Sequence, residues 1–343
     1  MILIISHNDV DEPTNIVIDW LNYYNANFKR INGIDFSFKN NILFNINDLS
    51  ITGNNNDMIN ANEINVVWYR RWQAKSNKGT NFEEYKKAKF SNEEVNIIED
   101  YQRYMTNELN SFVNGFFSLF SRIECIPKIK HARGGLNKLN VLMYAKKQGL
   151  LIPDTIITTS KKELLSFHKK HKSIITKPIS EVVDLTYKET KVIMFTKEIK
   201  LSEIKLFSEY FFPSLFQEKI NKVFEIRTFV HFNKVFSMAI FSQRDSQTSI
   251  DFRNYNHDKP NRNVPFKLPD NIEKKVLNLF KDLDLTTGSV DLIYDLNDNF
   301  YFLEINPVGQ LSMVSIGGNY NLEKIIAEDL IKINDEKSKI NKN

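Results

Sequence analysis

Three oxygen-bearing side chains, Asp291, Glu304 and Asn306, lie in an otherwise largely apolar stretch, GSVDLIYDLNDNFYFLEINPVGQ, at positions 288–310. Carboxylate and amide oxygens are the ligands that Mg²⁺ prefers, in sites that combine a few protein groups with phosphate oxygens. The same residues could simply be the polar ends of two strands, and the pattern E-x-N alone does not decide between these interpretations.

The pattern around these residues predicts a β-hairpin. Apolar side chains at 290, 292 and 294 alternate with their neighbours, which is the period of a half-buried strand. The cluster DLNDN at 295–299 predicts a turn, and 300–305 predicts a second strand. In a regular second strand Phe302, Glu304 and Asn306 share one face, and Asp291 can join them from the partner strand.

The phrase D-L-I-Y-D…F-Y-F-L-E-I-N-P-V-G-Q resembles the metal-binding end of the ATP-grasp ligases. The start MILIISHNDVDEPTNIVIDWL and the later VVWYRRW resemble a narrower group, the graspetide synthetases that mature microviridin-type ribosomal peptides, particularly the grasp-with-spasm branch. The resemblance extends over nearly the whole chain. It implies a mixed α/β and α+β fold with a pre-ATP-grasp domain at 1–125, a central ATP-grasp subdomain at 126–215, a C-terminal subdomain at 216–335 and a tail at 336–343.

The resemblance also implies which residues bind ATP. Lys138 and Lys177 would contact phosphates, and the segment 179–192 would be a mobile loop that covers the nucleotide. Without the resemblance, both lysines could be ordinary surface residues. The residues implied at the adenine are Gln217, Glu218, Lys219 and Ile220, the last two through their backbone. A buried base needs such partners, because unpaired polar groups in an apolar slot are costly.

Further residues are implied on the substrate side. Glu225 and Arg227 share a face of the predicted strand 223–231, with Glu225 at the ribose or the substrate and Arg227 at a phosphate or a substrate carboxylate. A D-x-R motif, Asp251 and Arg253, would hold substrate and phosphate. Arg227, Asp251 and Arg253 are therefore the predicted catalytic residues. On their own, E-x-R could be a same-face salt bridge and D-x-R a loop ion pair.

Two adjacent arginines, Arg70 and Arg71, follow the predicted buried strand 64–68 and lie between aromatic residues. Arginine can bind carboxylate or phosphate bidentately and can stack on rings. The alternative is a structural ion pair within the first domain. If the pair is functional, we expect it to order the substrate rather than take part in the chemistry.

Periodicity and turn signals predict the remaining elements. The predicted strands are 1–6, 155–158, 173–178 and 235–243, and 28–34 is predicted as strand and turn. By resemblance, 211–220 carries the linker between the two halves of the nucleotide clamp, and the alternative is an ordinary amphipathic strand. The predicted helices are 15–25, two helices within 81–120, 137–149, 271–283 and 322–333, and a surface loop is predicted at 257–269. In the helix at 271–283, the residues expected to face inward are Ile272, Val276, Leu279 and Phe280.

The composition limits the class of protein. The chain has 343 residues, 42% hydrophobic and 26% charged, which is ordinary for a globular protein. Its net charge of +4 is too modest to indicate nucleic-acid binding, but it would favour an acidic peptide. Cys125 is the only cysteine, so no internal disulfide is possible. We expect a cytoplasmic protein without a membrane span, and P-loop and Rossmann motifs are absent.

These observations predict an ATP- and Mg²⁺-dependent ligase that closes side-chain esters or amides in a ribosomal precursor peptide, leader plus core, through an acyl phosphate. A homodimer is expected by resemblance. Three alternatives are open: a RimK-like ATP-grasp ligase that joins an amino acid to a peptide or protein, a non-catalytic ATP-binding module, and an interaction protein with coincidental motifs.

Overall fold

A computed structural model of the protein describes residues 1–8, 10–33, 42–52, 58–72, 92–180, 184–187, 190–193, 196–245, 248, 250–252, 254 and 256–340. The chain forms two compact units, Met1–Gly134 with Leu322–Asn343, and Gly135–Asn321. The domain boundaries expected from the sequence, including the division at 215, stay a prediction. None of the described helices has both the length and the apolar character that a membrane crossing requires.

Helices and strands are interspersed along the chain. Those of residues 1–134 are β1 (Ile2–Ser6), α1 (Glu12–Tyr23), β2 (Phe28–Asn32), β3 (Leu43–Asn45), β4 (Ser50–Thr52), β5 (Met58–Asn60), β6 (Val66–Tyr69), α2 (Asn92–Ser118), β7 (Glu124–Ile126) and α3 (Ile129–Gly134). Those of the second unit are α4 (Lys138–Lys147), β8 (Thr155–Ser160), α5 (Lys161–His171), β9 (Ile174–Lys177), β10 (Asp184–Tyr187), β11 (Thr190–Ile193), β12 (Lys197–Ile199), α6 (Leu201–Lys205), β13 (Tyr210–Glu218), β14 (Lys222–His231), β15 (Lys234–Phe241), β16 (Arg262–Phe266), α7 (Asp270–Asp282), β17 (Thr287–Asp295), β18 (Phe300–Asn306) and α8 (Leu311–Gly318). The last helix, α9 (Leu322–Ile340), belongs to the first unit.

The first unit contains a parallel sheet of order β2-β1-β6-β7. Strand β1 is entirely buried, as its unbroken apolar sequence predicts for a parallel sheet covered by helices. Helices α1 and α9 pack against each other, and Tyr24 donates a hydrogen bond of 2.8 Å to Glu328. The predicted open α/β sheet is therefore confirmed.

One helix prediction in this unit needs correction, and another is tested only in part. Of the two helices predicted within 81–120, α2 covers 92–118, and residues 81–91 lie outside the described residues. Helix α9 continues to Ile340 instead of ending at 333, so the predicted tail is largely helical. Lysines at 337 and 339 explain the continuation, because lysine is a good helix former and its charge is favourable near a helix C-terminus.

The second unit contains two main antiparallel sheets. Strands β12-β9-β13-β8 form one, and β16-β15-β14-β17-β18 form the other. A hydrophobic core lies between the second sheet and helices α4 and α7. All four residues of α7 that were predicted to face inward are buried.

Two predicted loops contain strands. Within 257–269, β16 pairs with β15 and includes Pro265. Proline has no N–H to donate and is therefore tolerated on an edge strand, which is the position of β16. Within 179–192, the described backbone forms the antiparallel hairpin β10–β11.

The hairpin β17–β18 is confirmed, but its second strand is not regular. Asp291 pairs with Glu304 whereas Leu292 pairs with Phe302, so Leu303 is an extra residue, a β-bulge. Phe302 and Ile305 are both buried in the core, and Leu303 and Glu304 both face a cavity. The prediction that Phe302 shares a face with Glu304 was therefore wrong, because the bulge reverses the alternation.

Candidate active site

The second unit contains a cavity of about 400 Å³, a volume typical of small-molecule sites. Its walls come from the ends of β9 and β13, from β14, from residues 250–252 and from the hairpin β17–β18. The predicted site residues that line it are Lys177, Gln217, Glu218, Lys219, Ile220, Glu225, Asp251, Asp291 and Glu304. Lys138, Arg227 and Asn306 lie next to lining residues, and Arg253 is outside the described residues.

The predicted metal ligands are brought to one end of the hairpin. Asp291 and Glu304 are direct cross-strand partners, and Asn306 is two residues further along β18. Asn306 is exposed, and its Oδ1 accepts hydrogen bonds from the backbone of Val308 (3.2 Å) and Gly309 (3.1 Å), which hold the turn after the strand. Within the described part of the chain, no group of three or more His, Cys, Asp or Glu forms a metal cage. Two carboxylates and one amide oxygen fit a cation that takes its remaining ligands from phosphate oxygens.

The predicted phosphate lysines lie beside these acids. Lys138 is the first residue of α4. The residue before it, Asn137, caps the helix by accepting hydrogen bonds from the N–H groups of Leu139 and Asn140. Lys138 Nζ lies 3.7 Å from Glu304 Oε2 and 3.5 Å from the carbonyl of Pro178, the residue after Lys177. Lys177 itself lines the cavity. Positive charge from one helix and one strand thus lies at the cavity that Glu304 and Asp291 also line.

The segment 217–220 forms one wall of the cavity. Gln217 is fully buried, and its Nε2 donates to Thr155 Oγ1 (2.8 Å) while its Oε1 is buried without a partner. Glu218 Oε1 accepts from the backbone N–H of Asp154 (2.9 Å). The N–H of Ile220 has no hydrogen-bond acceptor within the described part of the chain. An unpaired acceptor and an unpaired donor in one wall of the cavity fit the edge of a purine base.

Glu225 is buried beside Lys222 and Ser242. Lys222 Nζ contacts Glu225 Oε1 and donates to the carbonyl of Ile250 (3.0 Å), and Ser242 Oγ donates to Glu225 Oε1 (3.0 Å). Burial raises the pKa of Glu225, and the contacts with Lys222 and Ser242 oppose that effect. Glu225 does not pair with Arg227, so the same-face salt bridge considered for E-x-R is not formed.

Arg227 contacts the metal-ligand candidate Asp291 instead. The two residues are cross-strand neighbours, and Arg227 Nη1 lies 3.3 Å from Asp291 Oδ1. The guanidinium also lies 5.9 Å from the ring centre of Phe252. Asp251 is buried, and its Oδ2 accepts a hydrogen bond of 3.3 Å from the backbone of Thr196.

Sequence reasoning missed Lys222 and His171. Lys222 is three residues from Glu225, a spacing that places two side chains on opposite faces of a regular strand. A register shift between Lys222 and Phe224 brings them to the same side. His171, at the end of α5, lies 2.7 Å from Asp154 Oδ2 and 3.3 Å from Glu218 Oε2. No local motif marks either residue, since both depend on the pairing of strands distant in sequence.

Comparison with known proteins agrees with this architecture. Residues 1–133 match the family model of the MvdD pre-ATP grasp domain. A RiPP-associated ATP-grasp ligase from Chryseobacterium gregarium, solved with ADP and a leader and core peptide, is 24% identical, with 98% of this chain and 96% of that chain covered and a TM-score of 0.78. The macrocyclase MdnC from Microcystis aeruginosa MRC, bound with precursor peptide MdnA, is 23% identical, with 97% and 100% covered and a TM-score of 0.77.

The chain has the ATP-grasp fold. A third structure, the ATP-grasp ligase PsnB complexed with minimal precursor, Mg and ADP, is 14% identical, with 97% of each chain covered and a TM-score of 0.74. Comparison with curated proteins gives no match. The predicted fold class and the resemblance to graspetide synthetases are confirmed, while the role of each site residue within the ATP-grasp fold stays a prediction.

Proposed function

We propose that this protein is an ATP-grasp ligase that uses Mg·ATP to close ester or amide links between side chains of a ribosomal precursor peptide. The observation that carries the proposal is that Asp291, Glu304 and Lys177 line one cavity, with Lys138 Nζ 3.7 Å from Glu304, and that the segment 217–220 of the same cavity has unpaired groups suited to a base. The relatives of the same fold bind ADP and precursor peptides.

Each group has a definite task in this proposal. Gln217 and the backbone at Ile220 bind the adenine, Glu225 accepts from the ribose, and Lys138 and Lys177 neutralise phosphate charge. Asp291, Glu304 and Asn306 would hold Mg²⁺, which supplies positive charge to the phosphate oxygens when bound. Arg227 orients Asp291, and Asp251 with Arg253 would hold the substrate.

The reaction needs positioning and charge neutralisation rather than a protein nucleophile. A side-chain carboxylate of the peptide attacks the γ-phosphate, and ADP leaves with the electron pair of the broken P–O bond. A Ser or Thr hydroxyl, or a Lys amine, then attacks the acyl carbon of the acyl phosphate. Phosphate leaves, the attacking group loses its proton, and the peptide has lost one water for each link formed.

The test is mass spectrometry of a candidate precursor peptide after incubation with the protein, ATP and Mg²⁺. We expect the loss of one or more whole water molecules with the release of ADP. Glu304→Gln keeps the size of the side chain but removes its charge, so we expect the dehydration rate to fall by about 100-fold or more. Glu336→Gln, an exposed substitution on α9, is the matched control and should retain the rate.

Other outcomes separate the alternatives. A mass gain equal to an amino-acid residue would identify a RimK-like ligase that joins free amino acids. ATP binding without any change in the peptide would remove the cyclase proposal and leave the fold assignment. Equal dehydration by the wild type and Glu304→Gln would contradict the role given to the hairpin.

A further inference from the structure

The strand order of the first unit creates a position where ligands usually bind. The chain passes from β1 to β2 on one side of the sheet and then crosses to β6 on the other side of β1. In open α/β sheets, ligands bind beyond the carboxyl ends of the strands at such a reversal of strand order. The residues that follow these two strands are His7, after β1, and Arg70-Arg71, after β6. None of them has a task in the ATP site.

The two adjacent arginines differ in their contacts. Arg70 is 2% exposed, and its Nε lies 4.0 Å from Asp11 Oδ2. Arg71 is half-buried, and its guanidinium forms no hydrogen bond or ion pair with another described residue. The structural ion pair considered for both arginines therefore accounts only for Arg70. The backbone N–H of Arg71 donates a hydrogen bond of 3.4 Å to the carbonyl of Ile5 in β1.

His7 adds a second polar group without a partner. Its Nδ1 is buried and has no hydrogen-bond partner among the residues that the structure describes. Burial and the nearby positive charges of Arg71, Arg30 and Arg70 lower the pKa of His7, and Asp11 opposes them. In the parallel pairing of β1 with β6, Ile5 is the partner of Tyr69, so His7 and Arg71, each two residues further on, leave the sheet at neighbouring points. With a proton on Nδ1, His7 has a donor for an acceptor from outside the chain.

The surrounding groups leave positive charge at this edge. Arg30 donates to Asn15 Oδ1 (2.7 Å), to Asn32 Oδ1 (3.0 Å) and to the carbonyl of Asn8, which are all neutral. Asp11 Oδ2 is shared among Arg70 and the hydroxyls of Ser6 and Thr14. Glu323 acts electrostatically on the buried Arg70. Among the residues that the structure describes, no carboxylate contacts Arg30 or Arg71, and this excess of positive charge favours an anionic ligand.

We propose that His7 and Arg71 form a binding site for a side-chain carboxylate of the precursor peptide. The fork of the guanidinium can bind both carboxylate oxygens, and the imidazole supplies a further donor. This inference rests on the proposed function, because that function provides a peptide partner with reactive acidic side chains. The site would order the peptide by binding one of its acids and would take no part in phosphoryl transfer.

The test compares peptide binding by wild-type protein and by Arg71→Gln, using fluorescence anisotropy of a labelled precursor without nucleotide. A second peptide has its core Asp and Glu residues replaced by Asn and Gln. We expect Arg71→Gln to weaken binding of the acidic peptide by about 10-fold, equivalent to 1.4 kcal/mol. The neutral peptide should bind the wild type and the variant with equal affinity, because its core has no carboxylate for Arg71 to bind.

Three further variants test the guanidinium fork, the role of His7 and the specificity of the effect for Arg71. Arg71→Lys keeps the charge but lacks the fork, so an intermediate loss is expected. His7→Gln should give a smaller loss that also depends on the peptide's acids. Arg103→Gln removes an exposed arginine of α2 and should have no effect. Thermal unfolding of each variant shows whether it is folded, and Arg71→Lys replaces Arg71→Gln if the latter is not.

The outcomes distinguish this site from the proposed function. Equal weakening of both peptides, or no weakening of either, would overturn the carboxylate site. The dehydration assay with wild-type protein is run in parallel. Absence of dehydration together with an Arg71-dependent preference for the acidic peptide would overturn the cyclase proposal and retain an acid-binding site.

Discussion

Lys222 and Glu225 form a buried ion pair in the cavity, at the position proposed for the ribose. A ribose hydroxyl that donates to Glu225 has to share this carboxylate with Lys222 and Ser242. Breaking a buried ion pair costs several kcal/mol when one charge is left without a partner. Lys222 avoids that cost because it also contacts the carbonyl of Ile250, 3.0 Å away. The pair can therefore open toward a ligand without isolating the ammonium group.

Glu225 should make nucleotide binding sensitive to mild acid. Burial raises the pKa of Glu225, so the carboxyl takes up its proton at a higher pH than the ordinary value of about 4.3. The protonated form is a weaker acceptor, and we expect nucleotide affinity to fall as the pH decreases through this raised pKa. The measurement is the Kd of a fluorescent ATP analogue against pH, for wild type and Glu225→Gln.

The Glu225→Gln variant serves as the control for the pH dependence of the wild type. Its amide cannot titrate, and its oxygen can still accept from Lys222, so its affinity should be lower at neutral pH and nearly constant over the window just above pH 4.3. Coincident pH profiles for the two proteins would assign the acid sensitivity to another carboxylate of the cavity, such as Asp251 or Asp291.

At the scale of elements, two β-bulges determine which side chains enter the cavity. One at Leu303 keeps Glu304 on the cavity side, and one at Val223 turns Lys222 toward Glu225. Bulges are frequent next to active sites, where they redirect a side chain. Alternation in the sequence predicted both strands correctly, but it could not locate the extra residue, because a bulge depends on the partner strand.

In other elements too, local sequence patterns predicted the secondary structure, whereas contacts between residues distant in sequence could not be predicted. Helix α7 and the hairpin β17–β18 follow from periodicity and turn residues, and both were predicted. Strand β16 was missed because Pro265 and the surrounding Asn residues have loop character, and only its pairing with β15 makes it a strand. The contact of His171 with Glu218 joins a helix end to a strand end 47 positions later, which no local pattern encodes.

Helix α5 should support, through His171, the segment 217–220 that is proposed to bind adenine. Its imidazole lies between Asp154 and Glu218, at the start of β8 and the end of β13. We expect His171→Ala to weaken binding of an ATP analogue by about 5-fold, the equivalent of roughly 1 kcal/mol for one lost hydrogen bond. Affinity for the precursor peptide alone should not change, a distinction that general unfolding would not produce.

The matched control for this prediction is His168→Ala. His168 lies one turn earlier on the same helix, and its side chain has no hydrogen bond with a described residue. Nucleotide affinity should be unchanged in this variant. If both variants lose affinity equally, the effect belongs to the helix as a whole and the specific contact with Glu218 is not required.

At the scale of the whole molecule, each unit has its own β-sheets and its own proposed ligand. All described residues that line the cavity proposed for the nucleotide belong to the second unit, whereas His7 and Arg71 belong to the first. Ligand binding stabilises the folded state that binds it, by about 2.7 kcal/mol at 100 times the Kd. Exchange of backbone amides for deuterium can locate this stabilisation, because amides open in local cooperative groups.

Hydrogen exchange with Mg²⁺ and a non-hydrolysable ATP analogue should therefore protect a defined part of the chain. We expect slower exchange at the end of β9, in the segment 217–220, in β14 and in the hairpin β17–β18, since these line the cavity. Strands β1 and β6 should exchange at an unchanged rate. Glu304→Gln at the same nucleotide concentration should show weaker protection of the hairpin, because it removes one of the charges proposed to hold the cation. Protection confined to β1 and β6 would instead place the nucleotide in the first unit, and the roles given to Asp291, Glu304 and the two lysines would be wrong.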